Sequence, residues 1–308
     1  MLVGLARFGA FVFVAASLAA PAWADDQAGR QSLGMARVFT NDTIADRQDR
    51  WRSGGYGISA FRGAEWFGAL PSQPFEIMEY RLRGEVMAPD NLARPAPGDR
   101  LYAGSLWLGA HTHLGWQGLD LTAGADLVVT GEQSGVRRLQ SQIHDWFSMP
   151  RMDVEGFQVA NGVYLHGTVE MAKAVTLSWG ELRPFAELQA GVENMARAGV
   201  DLTIGSLGQA GLRSRDPITG QRIAGIVDAE ASGWSFLIGG DVAQVDSSIF
   251  LPESRGYMVE PTRQRLRLGA NYAVGTSNFF YGVTYMSEEF VGQPEGQLVG
   301  SLSLNLRF

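Results

Sequence analysis

The sequence predicts an all-β protein: a twelve-stranded antiparallel transmembrane β-barrel with a short helical insertion in an extracellular loop. Three observations predict it. Most of the chain alternates apolar and polar residues with period two, the period of a strand whose two faces meet different media. The faces differ in kind, with Leu, Val, Ala and aromatics on one and Asp, Glu, Arg, Asn and Gly on the other, as in a wall with lipid outside and a polar interior. One stretch, Arg137 to Phe157, breaks the period: Leu139, Ile143, Trp146 and Phe147 recur at helical spacing, and Gln140 and His144, four apart, share a different face.

The chain opens as a secretion signal over residues 1–24. Arg7 is its basic start, Phe8 to Ala20 its apolar core, and Ala22-Trp23-Ala24 a small-x-small cleavage site before Asp25. The apolar run is short of the roughly 20 residues that a spanning helix needs, so residues 25–308 are expected to form one outer-membrane domain. No other segment is apolar enough to cross a bilayer as a helix. There is no cysteine, which excludes disulfides and thiol catalysis. Arginine supplies almost all the positive charge, Lys173 being the one lysine, and the net charge of −7 argues against a nucleic-acid partner.

The elements follow in order. Asp25 to Ser32 reads as a polar lead-in and Leu33 to Asn41 as the first strand, ending in Thr40-Asn41-Asp42. Thr43 to Asp49 is a loop, and Trp51 to Phe61 a glycine-rich strand that allows close backbone approach. Phe75 to Met87 sets Met78, Tyr80, Leu82 and Val86 against Glu79, Arg81, Arg83 and Glu85. After the Pro-rich turn Ala93 to Gly98, strands are expected at Asp99 to Thr112 and Leu119 to Val129. Beyond the insertion come Gly162 to Ala172, Glu181 to Glu193, with Leu182, Leu188 and Val192 among its outward residues, and Ala196 to Leu207. Gly208 to Ser232 is long and polar and reads as a strandless loop. Four strands complete the set: Gly233 to Val245, Arg263 to Val274, Ser277 to Glu288 and Leu298 to Phe308.

An even number of strands puts both termini on the periplasmic side and leaves no open edge. The last strand turns Leu302, Leu304, Leu306 and the terminal Phe308 one way, an ending that resembles the signal read by the barrel assembly machinery. The first-to-second and fifth-to-sixth connections then open outward, and they hold Asn41, Asp42 and His144.

Of the four histidines, His111 and His113 are two apart on a strand and share a face, but no third ligand lies in register, so a polar lumen or rim role is the plainer reading. His166 alternates with Tyr164, Thr168 and Glu170, as a lumen residue does. His144 lies in the insertion with Gln140, Asp145, Asp153 and Glu155 close by. It reads either as a general base awaiting an orienting partner or as a solvated loop residue. No GxSxG elbow surrounds any serine. Asn41-Asp42 offers the hard oxygens that Ca²⁺ prefers, although such a pair is also a common turn.

Several segments together resemble the LpxR-type lipid A 3'-O-deacylases, a family of twelve-stranded outer-membrane barrels. Thr40-Asn41-Asp42 is similar to the family's Asn-Asp. Asp49-Arg50-Trp51-Arg52-Ser53-Gly54-Gly55 resembles its Asp-Arg-x-x-Thr-x-Gly, with Ser53 keeping the hydroxyl. Asp99-Arg100-Leu101-Tyr102-Ala103-Gly104 resembles its Asp-Arg-Pro-Tyr-Ala-Gly, Gln140 and His144 its Gln-x-x-x-His, and Gly156-Phe157 its Gly-Trp. Ser287-Glu288-Glu289-Phe290 through Phe308 is also alike. The resemblance implies hydrolysis of the 3'-linked acyloxyacyl ester of lipid A by a calcium-dependent monomer in the outer membrane. It makes His144 the base, Gln140 its support, and Asn41, Asp42 and Ser53 the holders of Ca²⁺ or the oxyanion. Pro150 stands where the family has an acidic residue, leaving Asp153 and Glu155 as the acidic partners to consider.

Two other readings compete. A non-enzymatic porin would need an open lumen, whereas the inward residues here include bulky Arg, Glu and Tyr. An esterase of similar mechanism acting on phospholipid has the same sequence requirements.

Overall fold

The computed structural model describes residues 29–305 except 147, 149, 150, 206–210, 228–231 and 276. The expected signal segment, Phe147, Pro150 and the Leu306 to Phe308 ending lie outside the described residues.

Twelve strands form the wall: β1 (Gln31–Asn41), β2 (Trp51–Gly63), β3 (Ile77–Ala88), β4 (Ala103–Trp116), β5 (Leu119–Thr130), β6 (Gly162–Ala172), β8 (Gly180–Ala190), β9 (Glu193–Ile204), β12 (Gly233–Ser248), β13 (Thr262–Val274), β14 (Ser277–Met286) and β15 (Gln297–Asn305). A short β7 (Val175–Leu177) extends the turn before β8. Each wall strand pairs antiparallel with the next, and β1 pairs with β15, so the sheet closes and has no edge. The barrel is therefore the expected one. Among the described residues no helix is long and apolar enough to cross a membrane; the strands cross it.

The faces are inverted relative to a water-soluble barrel. Leu108, Leu127, Leu165, Leu188, Leu266 and Leu268 stand exposed on the outside, while Glu79, His111, Asp126, Glu170, Arg183 and Arg267 are buried within. Burial of charge is offset by pairing: Arg183 Nη1 bonds Glu170 at 2.7 Å, Arg267 Nη2 bonds Asp201 at 2.9 Å, and Arg265 Nε bonds Asp241 at 3.0 Å. At the end carrying the described chain termini, Trp116, Trp179, Trp234 and Tyr272 are exposed, with Trp234 and Tyr272 4.9 Å apart, forming part of an aromatic girdle. The opposite end, with the loops 42–50, 89–102, 131–161, 249–261 and 287–296, is the extracellular face.

Three expectations need correction. The segment Gly208 to Ser232 is not strandless: it contains a hairpin, β10 (Leu212–Arg215) and β11 (Arg222–Ile226), folded into the lumen. Arg215 reaches Glu170 at 2.5 Å and Asp201 at 2.8 Å, Thr219 meets Ser301 at 3.0 Å, and Leu212, Ile223 and Ile226 join Leu33, Phe61, Leu237 and Phe280 in an apolar cluster. The segment reads as a loop because its surroundings are the ion pairs of the lumen, so its charged side chains mark burial there and not exposure. Val192 does not face outward either: β8 ends at Ala190, and Val192 is buried beneath the extracellular cap with Met87, Leu101, Val159 and Phe250. The fourth strand begins at Ala103, four residues later than its pattern suggests, because Arg100 and Leu101 turn into that cap.

Candidate active site on the outer wall

Backbone register places the site. Gly300 of β15 is opposite Asn41 of β1, Asn41 opposite Gly54 of β2, Gly54 opposite Val86 of β3, and Val86 opposite Gly104 of β4. Paired residues share a face and alternate along each strand, and Gly104 is in phase with the outward Leu106 and exposed Leu108. The row therefore lies on the outside of the barrel, near its extracellular rim. Glycines let two elements settle on it. The 3₁₀ turn Asp42–Ile44 lies over Gly300, where a Cβ would collide with Ile44. The helix α1 (Val136–Trp146) begins over Gly104, where a Cβ would come within 3.1 Å of Val136.

On the first of these, Asn41 caps the turn by accepting from Thr43 N–H at 2.9 Å. Asp42 is fully buried. Its Oδ2 accepts from Arg50 N–H at 2.7 Å, and its Oδ1 has no hydrogen-bond partner. Burial pushes its carboxyl up, to about 9, against the pull of the Arg50 and Thr43 backbone hydrogen bonds, and the negative Asp49 and Asp46 add to the rise. An orphaned buried carboxylate oxygen beside two further acidic groups suits a hard cation. Among the described residues no three His, Asp or Glu side chains form a metal cluster by themselves; a cation at Asp42 would draw also on the Asn41 amide and backbone carbonyls.

The second element brings the imidazole. Tyr102, buried just before β4 with Ala88, Val154, Val86 and Leu92 around it, donates to Gln140 Oε1 at 2.8 Å and ties α1 to the wall. Burial raises the Tyr102 phenol, keeping it a neutral donor. One turn on, His144 is buried with Nε2 3.7 Å from Asp49 Oδ2. The other Asp49 oxygen accepts a short hydrogen bond from Ser53 Oγ. A bulge between Trp51 and Gly54 makes this possible: Trp51 takes φ +49°, Arg52 turns inward, and Ser53 turns to Asp49.

Beneath the row, Glu289 accepts from Arg52 Nε at 2.6 Å and from Arg100 by a short contact, with Arg263 at 3.7 Å. Burial works to raise the Glu289 carboxyl, but the three guanidiniums hold it well below the usual carboxylate range. One carboxylate thus braces the residues next to Ser53 and two before Tyr102.

Of the residues singled out in the sequence, Asn41, Asp42, Ser53, Gln140 and His144 converge on this patch. Asp153 and Glu155 are exposed, and the carboxylate placed nearest to the imidazole by an ion pair is Asp49. Asp49 lies within the Asp-Arg-x-x-Thr-x-Gly-like segment, where the resemblance assigns it no role; its position four residues before Ser53, in an outward loop, is the sequence signal for it. Tyr102 and Glu289 likewise stand in motif segments that carry no role for them by pattern alone. His111 bonds Asp126 at 3.0 Å and His113 bonds Glu79 at 2.8 Å inside the lumen, and His166 is buried there too, as expected of lumen residues.

A closed barrel with a lipid-facing wall, a filled interior and a polar cluster outside its extracellular rim defines an integral outer-membrane protein. The chain belongs to the family described as outer membrane protein LpxR, whose model matches residues 10–308. Among solved structures, LpxR from Salmonella typhimurium superposes with a TM-score of 0.71 at 15% identity, covering 89% of this chain and 100% of that one. The likeness shows the fold. The β domain of the Bordetella autotransporter BrkA gives a TM-score of only 0.43 at 13% identity, covering 91% and 100%, and bears on neither fold nor site. No curated protein sequence matches significantly.

Proposed function

We propose that this protein hydrolyses the ester that links the 3' acyloxyacyl group to lipid A in the outer leaflet. The observation that carries the reading is the Ser53–Asp49–His144 arrangement, set with Gln140 on the outer wall at the extracellular rim. An ester anchored in the bilayer by its acyl chains reaches such a site without entering the barrel.

In this reading His144 takes a proton from water, whose oxygen attacks the ester carbonyl carbon. The tetrahedral species collapses with release of the sugar 3' oxygen, which recovers the proton from the imidazolium. Asp49, 3.7 Å from Nε2, steadies the ring, and a separation of this size is of the kind that tightens when substrate binds. Gln140, held by Tyr102, presents its amide toward the attacking water. Asn41, Asp42 and Ser53 would hold Ca²⁺, which when bound supplies positive charge to the developing oxyanion. Assembly by the barrel assembly machinery and action as a monomer belong to the same reading.

The test is mass spectrometry of lipid A from cells expressing the wild type or His144→Ala, with and without Ca²⁺. Loss of the 3' acyl mass only in calcium-replete wild type supports the reading. An unchanged lipid A profile with the wild-type barrel correctly inserted would sink it and turn attention to phospholipid. The porin alternative is disfavoured by the lumenal hairpin, which lies across the path a solute would take.

A further inference from the structure

We propose that α1 is an interfacial helix whose flank of Leu139, Ile143 and Trp146 docks into the acyl layer of the outer leaflet. Such docking does not depend on the reaction assigned above. Val136 rests on Gly104, and Gly104 is two residues up β4 from Leu106. Leu106 is opposite Val129 of β5, and Val129 opposite Val163 of β6. These three form the last outward apolar row below the helix, and Val163 is 60% exposed. The helix is thus stacked on the outside of the wall immediately beyond the lipid-facing band, at the level of the bilayer interface.

Its two flanks then differ. At 100° per residue, Val136, Gln140 and His144 turn to the wall and site, while Leu139 and Trp146 fall together on one side with Ile143 between them and the wall. Leu139 is 51% exposed and Trp146 63% exposed, against 49% for Leu108 and 71% for Leu165 on the membrane wall. Among the described residues nothing covers the exposed sides of Leu139 and Trp146, and the medium continuous with them along the wall is lipid. Arg138 is exposed on the face turned away from the wall, and Arg137, on the site side, pairs with Glu132. Trp suits the position because its ring is apolar and its N–H polar, the combination enriched at membrane interfaces. An eleven-residue helix cannot span, so it lies in the plane of the interface. Docking would fix the helix that carries Gln140 and His144 at a constant depth relative to membrane-embedded esters.

The chain has no cysteine, so a single introduced one can be labelled cleanly. Leu139→Cys and Trp146→Cys, with Leu108→Cys as wall reference and Arg138→Cys as solvent reference, are spin-labelled and folded into phosphatidylcholine/phosphatidylglycerol vesicles. Folding is checked by heat-modifiable mobility, and collision rates with oxygen and with a water-soluble nickel chelate are measured. The expected result is an oxygen-to-nickel ratio at 139 and 146 within about twofold of that at 108 and several-fold above that at 138, as acyl-layer burial requires. Ratios equal to that at 138 would overturn the proposal by placing the flank in water. Exclusion of both reagents at 139 and 146 would also overturn it, in favour of a contact with a second copy of the chain.

Discussion

Asp49 stands between Ser53 and His144: one carboxylate oxygen takes the Ser53 hydroxyl, and the other lies 3.7 Å from the imidazole Nε2. The Ser53 hydroxyl donates to this carboxylate and not to the imidazole, so the serine-to-histidine contact of a nucleophilic serine is not formed. The order of contacts therefore suits a water nucleophile better than an acyl-serine.

Asp49→Asn keeps the shape and removes the charge. Deacylation is expected to fall roughly 10–100-fold through kcat with little change in KM, the scale of losing an orienting partner, while His144→Ala falls roughly 10²–10⁴-fold. Steady-state assays on purified lipid A in mixed micelles check this, and a full rate in the Asp49 variant would remove it from the site.

Asp42 carries the cation prediction. With Oδ1 unpartnered and buried, a bound Ca²⁺ should raise the thermal midpoint of the folded barrel, since a ligand of the native state alone stabilises it. In Asp42→Asn the calcium-dependent part of that shift is expected to vanish. A shift of equal size in both proteins would place the cation elsewhere.

Tyr102→Phe removes one neutral hydrogen bond to Gln140 and should destabilise by about 1 kcal/mol. The expected outcome is a several-fold loss of kcat in an intact barrel, because the ring still packs among Ala88 and Val154. Gln140→Ala combined with Tyr102→Phe should then cost no more than Gln140→Ala alone, a double-mutant cycle that tests whether Tyr102 acts through Gln140.

Glu289→Gln would leave Arg100 buried beside a neutral group, while Arg52 keeps Glu85 and Glu193, and the uncompensated charge should cost about 3–5 kcal/mol. The pH dependence has a definite sign. Because the folded Glu289 is held below its ordinary value of 4.5, its contribution is fully present above that pH and is lost as pH falls below it toward the folded pKa. Thermal midpoints measured downward from pH 6 should therefore drop more steeply for wild type than for Glu289→Gln. Parallel curves would contradict the assignment.

The hairpin β10–β11 fills the lumen, so planar-bilayer recordings of wild type are expected to show no steady open pore. Replacing residues 211–227 by a short Gly-Ser linker should open one. Conductance in the wild type would revive the porin reading.

The sequence by itself determined the wall. Alternation along β5, with Leu127 out and Asp126 in, survives because each strand separates lipid from a polar interior, and that contrast is written into every second residue. It also determined that α1 breaks the pattern and carries Gln140 and His144 on one face. What only the tertiary structure decided depends on distance across the chain. Asp49 meets His144 because β2 and the helix after β5 converge on one outer row of β-register. Glu289 braces Arg52 and Arg100 from far along the sequence. The hairpin stayed illegible for a different reason: its strands of 4 and 5 residues are too short to show a period, and their charged side chains meet the ion pairs of the lumen while Leu212, Ile223 and Ile226 meet an apolar cluster. Local pattern records the medium each residue meets, whereas the partners across the barrel are set only when closure brings the strands together.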